Sequence, residues 1–143
     1  MGAMELYLEG EDVWVASLDD KPGALGATLG LLADAGANLD FIISRRSPEE
    51  PGTAVVFVTP LRTDLEVQAG DEAGFSVTRK TYSVRVQGRD EPGVAAKLTK
   101  AIGEAGINMA GFSCAKLGAA FVAHIRVDTM EDREAVKELL AAL

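Results

Sequence analysis

Cysteine is all but missing from this chain. The single Cys114 cannot close an internal disulfide, which excludes a stapled secreted scaffold and predicts a reducing, cytoplasmic location. Histidine is as scarce: one His and one Cys cannot make a metal-site pattern, and no partner at telling spacing completes a nucleophilic dyad. No apolar run reaches the roughly 18 residues of a membrane span, and the N-terminus lacks the basic-then-apolar order of a signal peptide. Basic residues are outnumbered, 14 against 22 acidic, and the resulting net charge of −8 argues against nucleic acid or an anionic membrane as partner. Phosphate loops are missing as well, because Gly26 and Gly30 fall inside a helical run at the wrong spacing for either nucleotide motif. The expectation is a chain without cofactor, metal or catalytic cluster.

What the chain does have is a repeat. Asp20-Lys21-Pro22-Gly23, a helical run and Ala35-Gly36-Ala37-Asn38-Leu39 recur without a gap as Asp90-Glu91-Pro92-Gly93, a helical run and Ala105-Gly106-Ile107-Asn108-Met109. Self-similarity in fixed register marks one fold unit written twice. At 143 residues, 48% apolar and 25% charged, the chain has room for two packed units of roughly 70 residues each.

The first copy opens with an apolar run, Val13 to Leu18, which reads as a central strand. Pro22 suits the first position of a helix with a stripe of Leu25, Leu29 and Leu32, and Gly36 supplies its left-handed stop. Strands follow at 39–43 and 53–59 across a polar loop from Arg45 to Gly52. Thr63 or Asp64 can cap a short helix carrying Leu65 and Val67, and 75–80 alternates as a strand. The second copy repeats this order. Tyr82, Val84 and Val86 alternate with Ser83, Arg85 and Gln87, and His124 and Arg126 join that polar face, which reads as a solvated sheet surface. A helix follows Pro92, a hairpin turns at Leu117-Gly118, and Thr129 caps a last helix with Val136 and Leu140 inward.

Strand-helix-strand-strand-helix-strand, with both helices on one side of an antiparallel sheet, is a ferredoxin-like α+β unit. The expected domains are 4–80 and 81–143, leaving Met1-Gly2-Ala3 out of the fold. The second copy lacks its closing strand, while a short N-terminal strand at 5–8 has no place in the first. An unpaired sheet edge is a liability, so strand 5–8 is predicted to fill or extend the second unit's edge.

The paired motifs resemble the ACT domain family of small regulatory modules, in two copies that cover nearly the whole chain. The resemblance implies a non-catalytic sensor, usually of an amino acid, that works by pairing with another copy of itself, hence a homodimer with a metabolic enzyme as a further partner. In family members that bind serine or a similar amino acid, the ligand lies between paired units, held by the turn before Pro-Gly and by the Asn that opens the second strand. Carried onto this chain, the site is Asp20, Lys21, Gly23, Asn38 and Leu39 in one copy and Asp90, Glu91, Gly93, Asn108 and Met109 in the other. Some amino-acid-binding members carry an amide in the turn and a histidine two residues earlier, where this chain has an acid and Leu18 or Gly88. The chemistry suits a zwitterion: helix-start N–H groups take a carboxylate, an Asp meets an ammonium, and an Asn serves either end. Each residue has a plainer reading beside this one, since an Asp before a helix is a common cap and an Asn after Gly a common turn residue. The alternative function is a ligand-free interaction module that associates with itself or with an enzyme.

Overall fold

The structure is a computed structural model that describes residues 4–143. Its elements, in chain order, are β1 (Leu6–Glu11), β2 (Trp14–Asp19), α1 (Ala24–Asp34), β3 (Phe41–Arg46), β4 (Thr53–Thr59), α2 (Asp64–Glu72), β5 (Ser76–Val77), β6 (Tyr82–Arg89), α3 (Val94–Glu104), β7 (Met109–Leu117), β8 (Ala120–Val127) and α4 (Met130–Ala141). They form two compact units, one from Asp12–Thr78 and one from the chain up to Glu11 together with Arg79–Leu143. We call the first the continuous unit and the second the split unit.

Each unit holds a four-stranded antiparallel sheet, ordered β3-β4-β2-β5 in the continuous unit and β7-β8-β6-β1 in the split one. Position by position, β1 stands beside β6 as β5 stands beside β2. The continuous unit is therefore inserted in sequence between the N-terminal strand of its twin and the rest of it. β1 is held firmly: Leu6 to Glu11 pair with Gly88 back to Ser83, the Met4 N–H donates to the Leu143 carbonyl at 2.9 Å, and Leu6 and Leu8 pack on the split unit's core.

The alternation of β-branched residues along β6 and β8 explains the larger core. Val84, Val86, Phe121, Ala123, Ile125 and Val127 point to one face, where Val94, Leu98 and Ile102 of α3 and Val136 and Leu140 of α4 close over them. In the continuous unit the buried cluster is smaller: Ala16, Leu32, Val56, Val58, Leu61 and Phe75. Three helices end alike. After α1, the Gly36 N–H donates to Ala33 and the Ala37 N–H to Leu32; α3 repeats this with Gly106 and Ile107, and α2 with Gly74 and Phe75. That is a Schellman close, and its positive φ, 89° at Gly36, is why glycine recurs there.

Several expectations shift. Pro22 is not the first helical residue: α1 begins at Ala24 after Gly23 at φ 85°, so the proline shapes the turn that delivers the chain to that glycine. Leu25 is exposed, as is Leu65, so neither stripe is as wide as its leucines imply. The last strand of the continuous unit shrinks from 75–80 to two residues. On the supposedly wet face of the split unit, Ser83 and His124 are buried, together with Glu11 of β1. No helix among the described residues is long and apolar enough to cross a membrane.

Candidate functional site

The turn after β2 carries Asp20, Lys21 and Gly23. Asp20 does not cap α1, which has no side-chain cap at all. Its carboxylate instead accepts a hydrogen bond from Arg46 Nε at 2.8 Å, while its N–H donates to the Gly52 carbonyl at 3.0 Å. The arginine is largely exposed, so this pair contributes at most about 1 kcal/mol and orients Asp20 more than it stabilises the fold. Arg46 had read as a loop residue; β3 runs on to include it. Lys21 reaches Asp19 at 3.7 Å and accepts the Ala24 N–H on its carbonyl at 3.3 Å.

The split unit repeats the arrangement with different partners. Gly93, at φ 81°, opens α3, again without a side-chain cap, and the Glu91 carbonyl accepts from the Val94 N–H at 3.2 Å. Asp90 pairs with Lys116 Nζ at 3.1 Å and donates its N–H to the Ala119 carbonyl. At both helix starts a Cβ on the glycine would meet nothing within 4 Å, so the left-handed backbone, not crowding, requires glycine there. Each copy thus presents an uncapped helix start beside a carboxylate held by one exposed cation. Cys114, near this turn, is exposed as a residue, but partial desolvation of its thiol, then the Asp90 charge, pushes its pKa up, which does not favour a nucleophile.

The strand-opening residues lie elsewhere. Asn38 and Asn108 are exposed, and the Asn38 carbonyl accepts from Arg62 Nη1 at 3.4 Å. Leu39 and Met109, next in line, turn inward and pack on their units' cores. Register fixes the distance between the two halves of the proposed site. Asp20 follows the end of β2 that pairs with Thr53, whereas Asn38 precedes the start of β3, where Phe41 faces Thr59. β4 separates those points by its whole length, about 20 Å. The same holds for Asp90 and Asn108, because Arg89 faces Ala120 while Met109 faces Val127. No unit brings its own Asp and Asn together.

Arg46 and Lys116 were the residues missed as site neighbours. Each sits near the end of the edge strand that runs back beside the turn, a placement visible only once the strand's length and register are known. Among the described residues, no cluster of three or more His, Cys, Asp or Glu could hold a metal.

Two βαββαβ-type sheets with helices on one face and a glycine-opened first helix define a tandem regulatory-type α+β fold. The sequence matches the ACT domain profile at residues 15–75 and again at 82–143, and the chain belongs to the ACT domain family. No curated protein sequence matches it significantly. Among solved structures it resembles a protein from Bacteroides thetaiotaomicron at TM-score 0.76 and 16% identity, covering 92% of this chain and 88% of that one. The regulatory subunit of aspartate kinase from Thermus thermophilus, in its ligand-free form, superposes at TM-score 0.66 and 18% identity over 98% and 97% of the two chains. The whole aspartate kinase of Clostridium acetobutylicum matches at TM-score 0.61 and 14% identity, with this chain spanning 99% of itself and 35% of that enzyme. At these identities the likeness is one of fold.

Proposed function

We propose that the protein is a non-catalytic regulatory module that binds a small amino acid between ACT units paired through a second copy of the chain, and that signals by changed association. The observation that carries this reading is the separation of Asp20 from Asn38. Among the described residues β3 stands at the end of its sheet and pairs with one strand, β4. If two copies join their β3 edges antiparallel about a two-fold axis, the start of one strand lies beside the end of the other. Asn38 of one copy then approaches Asp20 and the α1 start of its partner. The β7 edge offers Asn108 and Asp90 the same opportunity.

In such a site the ligand carboxylate meets helix-start N–H groups at Gly23 or Gly93 and the ammonium meets Asp20 or Asp90, with Lys21 or Glu91 at the rim and Asn38 or Asn108 closing from the partner. Leu39 and Met109 act from behind, by fixing the strand start. The ligand shifts association because it binds only the paired arrangement. The regulatory subunit of aspartate kinase among the fold neighbours supports a metabolic enzyme as the further partner.

A thermal-shift screen of the common amino acids should find one that raises the melting temperature. Asp20→Ala and Asn38→Ala should each weaken its binding about tenfold. Mixing those two variants and allowing subunit exchange should restore about a quarter of the sites, one in each mixed dimer. Binding that survives Asn38→Ala and Asn108→Ala together would overturn the site. A dimer that persists while no amino acid shifts melting, even at millimolar concentration, would favour the ligand-free module.

A further inference from the structure

The continuous unit has a concavity at the other end of β2 from Asp20. A groove of about 460 Å³ lies where α2 meets the two-residue β5, within the range of small-ligand pockets. Trp14, Val67, Phe75 and Val77 supply an apolar lining, and the polar part comes from Asp64, Gln68 and Asp71 of α2 with Ser76 of β5. Asp64, Val67, Gln68 and Asp71 follow one another at i, i+3, i+4 and i+7, so one helical face presents two carboxylates about 10 Å apart with an apolar and an amide group between them.

The charge of this groove is one-sided. Among the described residues, neither Asp64 nor Asp71 forms an ion pair with a basic side chain, and no basic residue lines the groove. Gln68 donates its amide N–H to Glu72 at 3.3 Å, which leaves its carbonyl oxygen as the acceptor. In the split unit the six-residue β1 takes the place of β5, and α4 sets Arg133 beside Gly10 there. The continuous unit offers carboxylates where its twin offers a guanidinium.

We propose that this groove binds a free aliphatic amine, with its hydrocarbon chain against Trp14, Val67 and Phe75 and its ammonium at Asp64 or Asp71. A linear diamine can reach both acids at once, and an ammonium near the indole face gains a cation–π contribution. This site is separate from the amino-acid site proposed above. β2 carries the groove residue Trp14 at its start, and Asp20 follows its far end, about 20 Å away.

Trp14 is the chain's only tryptophan, so its fluorescence and its indole N–H resonance report on this groove. The probes are 1-butylamine, 1,6-diaminohexane, butyrate, 1-butanol and a short lysine peptide. Both amines should give saturable changes at millimolar concentration, the diamine at lower concentration, and the changes should fade with added salt. Butyrate and butanol should give none. Asp64→Asn and Asp71→Asn, both exposed and expected to fold normally, should each weaken amine binding about threefold to fivefold, and together at least about tenfold. Asp20→Ala should leave the titration unchanged, so failure of the amino-acid site does not touch this result. The proposal is overturned by silence of both Trp14 signals toward both amines, by an equal response to butanol, or by undiminished binding in the double variant. A lysine peptide that binds better than the free amines would move the occupant to a protein side chain and overturn the small-molecule assignment.

Discussion

The two units share a fold and a motif but differ in how much of their stability they carry themselves. In the split unit α3 puts Lys97 and Lys100 toward water and Val94, Leu98 and Ile102 into a core of eleven buried residues. In the continuous unit α1 has no charged residue from Ala24 to Ala33, exposes Leu25 and Leu31, and helps cover a cluster of six. A helix that is apolar all round is one whose outer face is meant to be covered. The difference teaches a division of labour: the split unit buries the larger core of its own, and the continuous unit leaves an apolar helix face exposed.

That contrast is most severely tested at β1. Removing residues 4–11 should cost the split unit about 5 kcal/mol, comparable with the whole stability of a small domain. Leu6 and Leu8 leave the core, and the edge of β6 loses its ladder. His124 and Ser83 lose Glu11, whose carboxylate takes up His124 Nδ1 at 3.1 Å and accepts from Ser83 Oγ at 3.4 Å in a buried setting. Hydrogen exchange should therefore accelerate across β6 and β8 while β2 and β4 keep their protection. Unchanged exchange in β6 would break the comparison. A smaller effect, on association alone, is expected at α1. Leu31→Asp should weaken self-association at least tenfold and leave the monomer's melting within about 1 kcal/mol, since Leu31 is half exposed. The matching change on α3, Lys97→Asp, should do neither; sedimentation velocity and melting curves distinguish the cases.

Much of this was legible in the sequence. The gapless repeat, the turn glycines and the period-2 and period-3.6 stripes are local signals, and they find all twelve elements, with ends of β1, β3 and β5 about three residues off. What the residues could not announce was pairing. Asp20 looks like a helix cap in sequence and turns out to hold Arg46, because the end of β3 runs back beside the turn. His124 looks like a surface residue on an alternating strand; it is buried, and it meets Glu11, which arrives from far away in the chain on β1. Whether Asp20 and Asn38 can meet depends on register, which a motif match does not contain.

The finest distinction between the units lies in how their last helices begin. α2 opens with a full capping box: Thr63 Oγ1 accepts from the Glu66 N–H at 3.1 Å, and the Glu66 carboxylate accepts from the Thr63 N–H and from Arg62 N–H. α4 has half of that device, with Thr129 Oγ1 accepting from the Asp132 N–H at 3.0 Å. Thr63→Ala and Thr129→Ala should each cost about 1 kcal/mol. They should differ in acid. The backbone N–H of Arg62 is the largest cause, and Thr63 the next, of a Glu66 pKa held below the ordinary carboxylate value. A carboxylate whose pKa is lower folded than unfolded stabilises the fold above its unfolded pKa, and that contribution is lost as pH falls through its folded pKa. Glu66→Gln should therefore reduce the protection of α2 amides at neutral pH and flatten its loss between neutral and strongly acidic solution. If Glu66→Gln leaves the loss of protection in acid as steep as before, the capping-box glutamate is not the source of the pH dependence of α2.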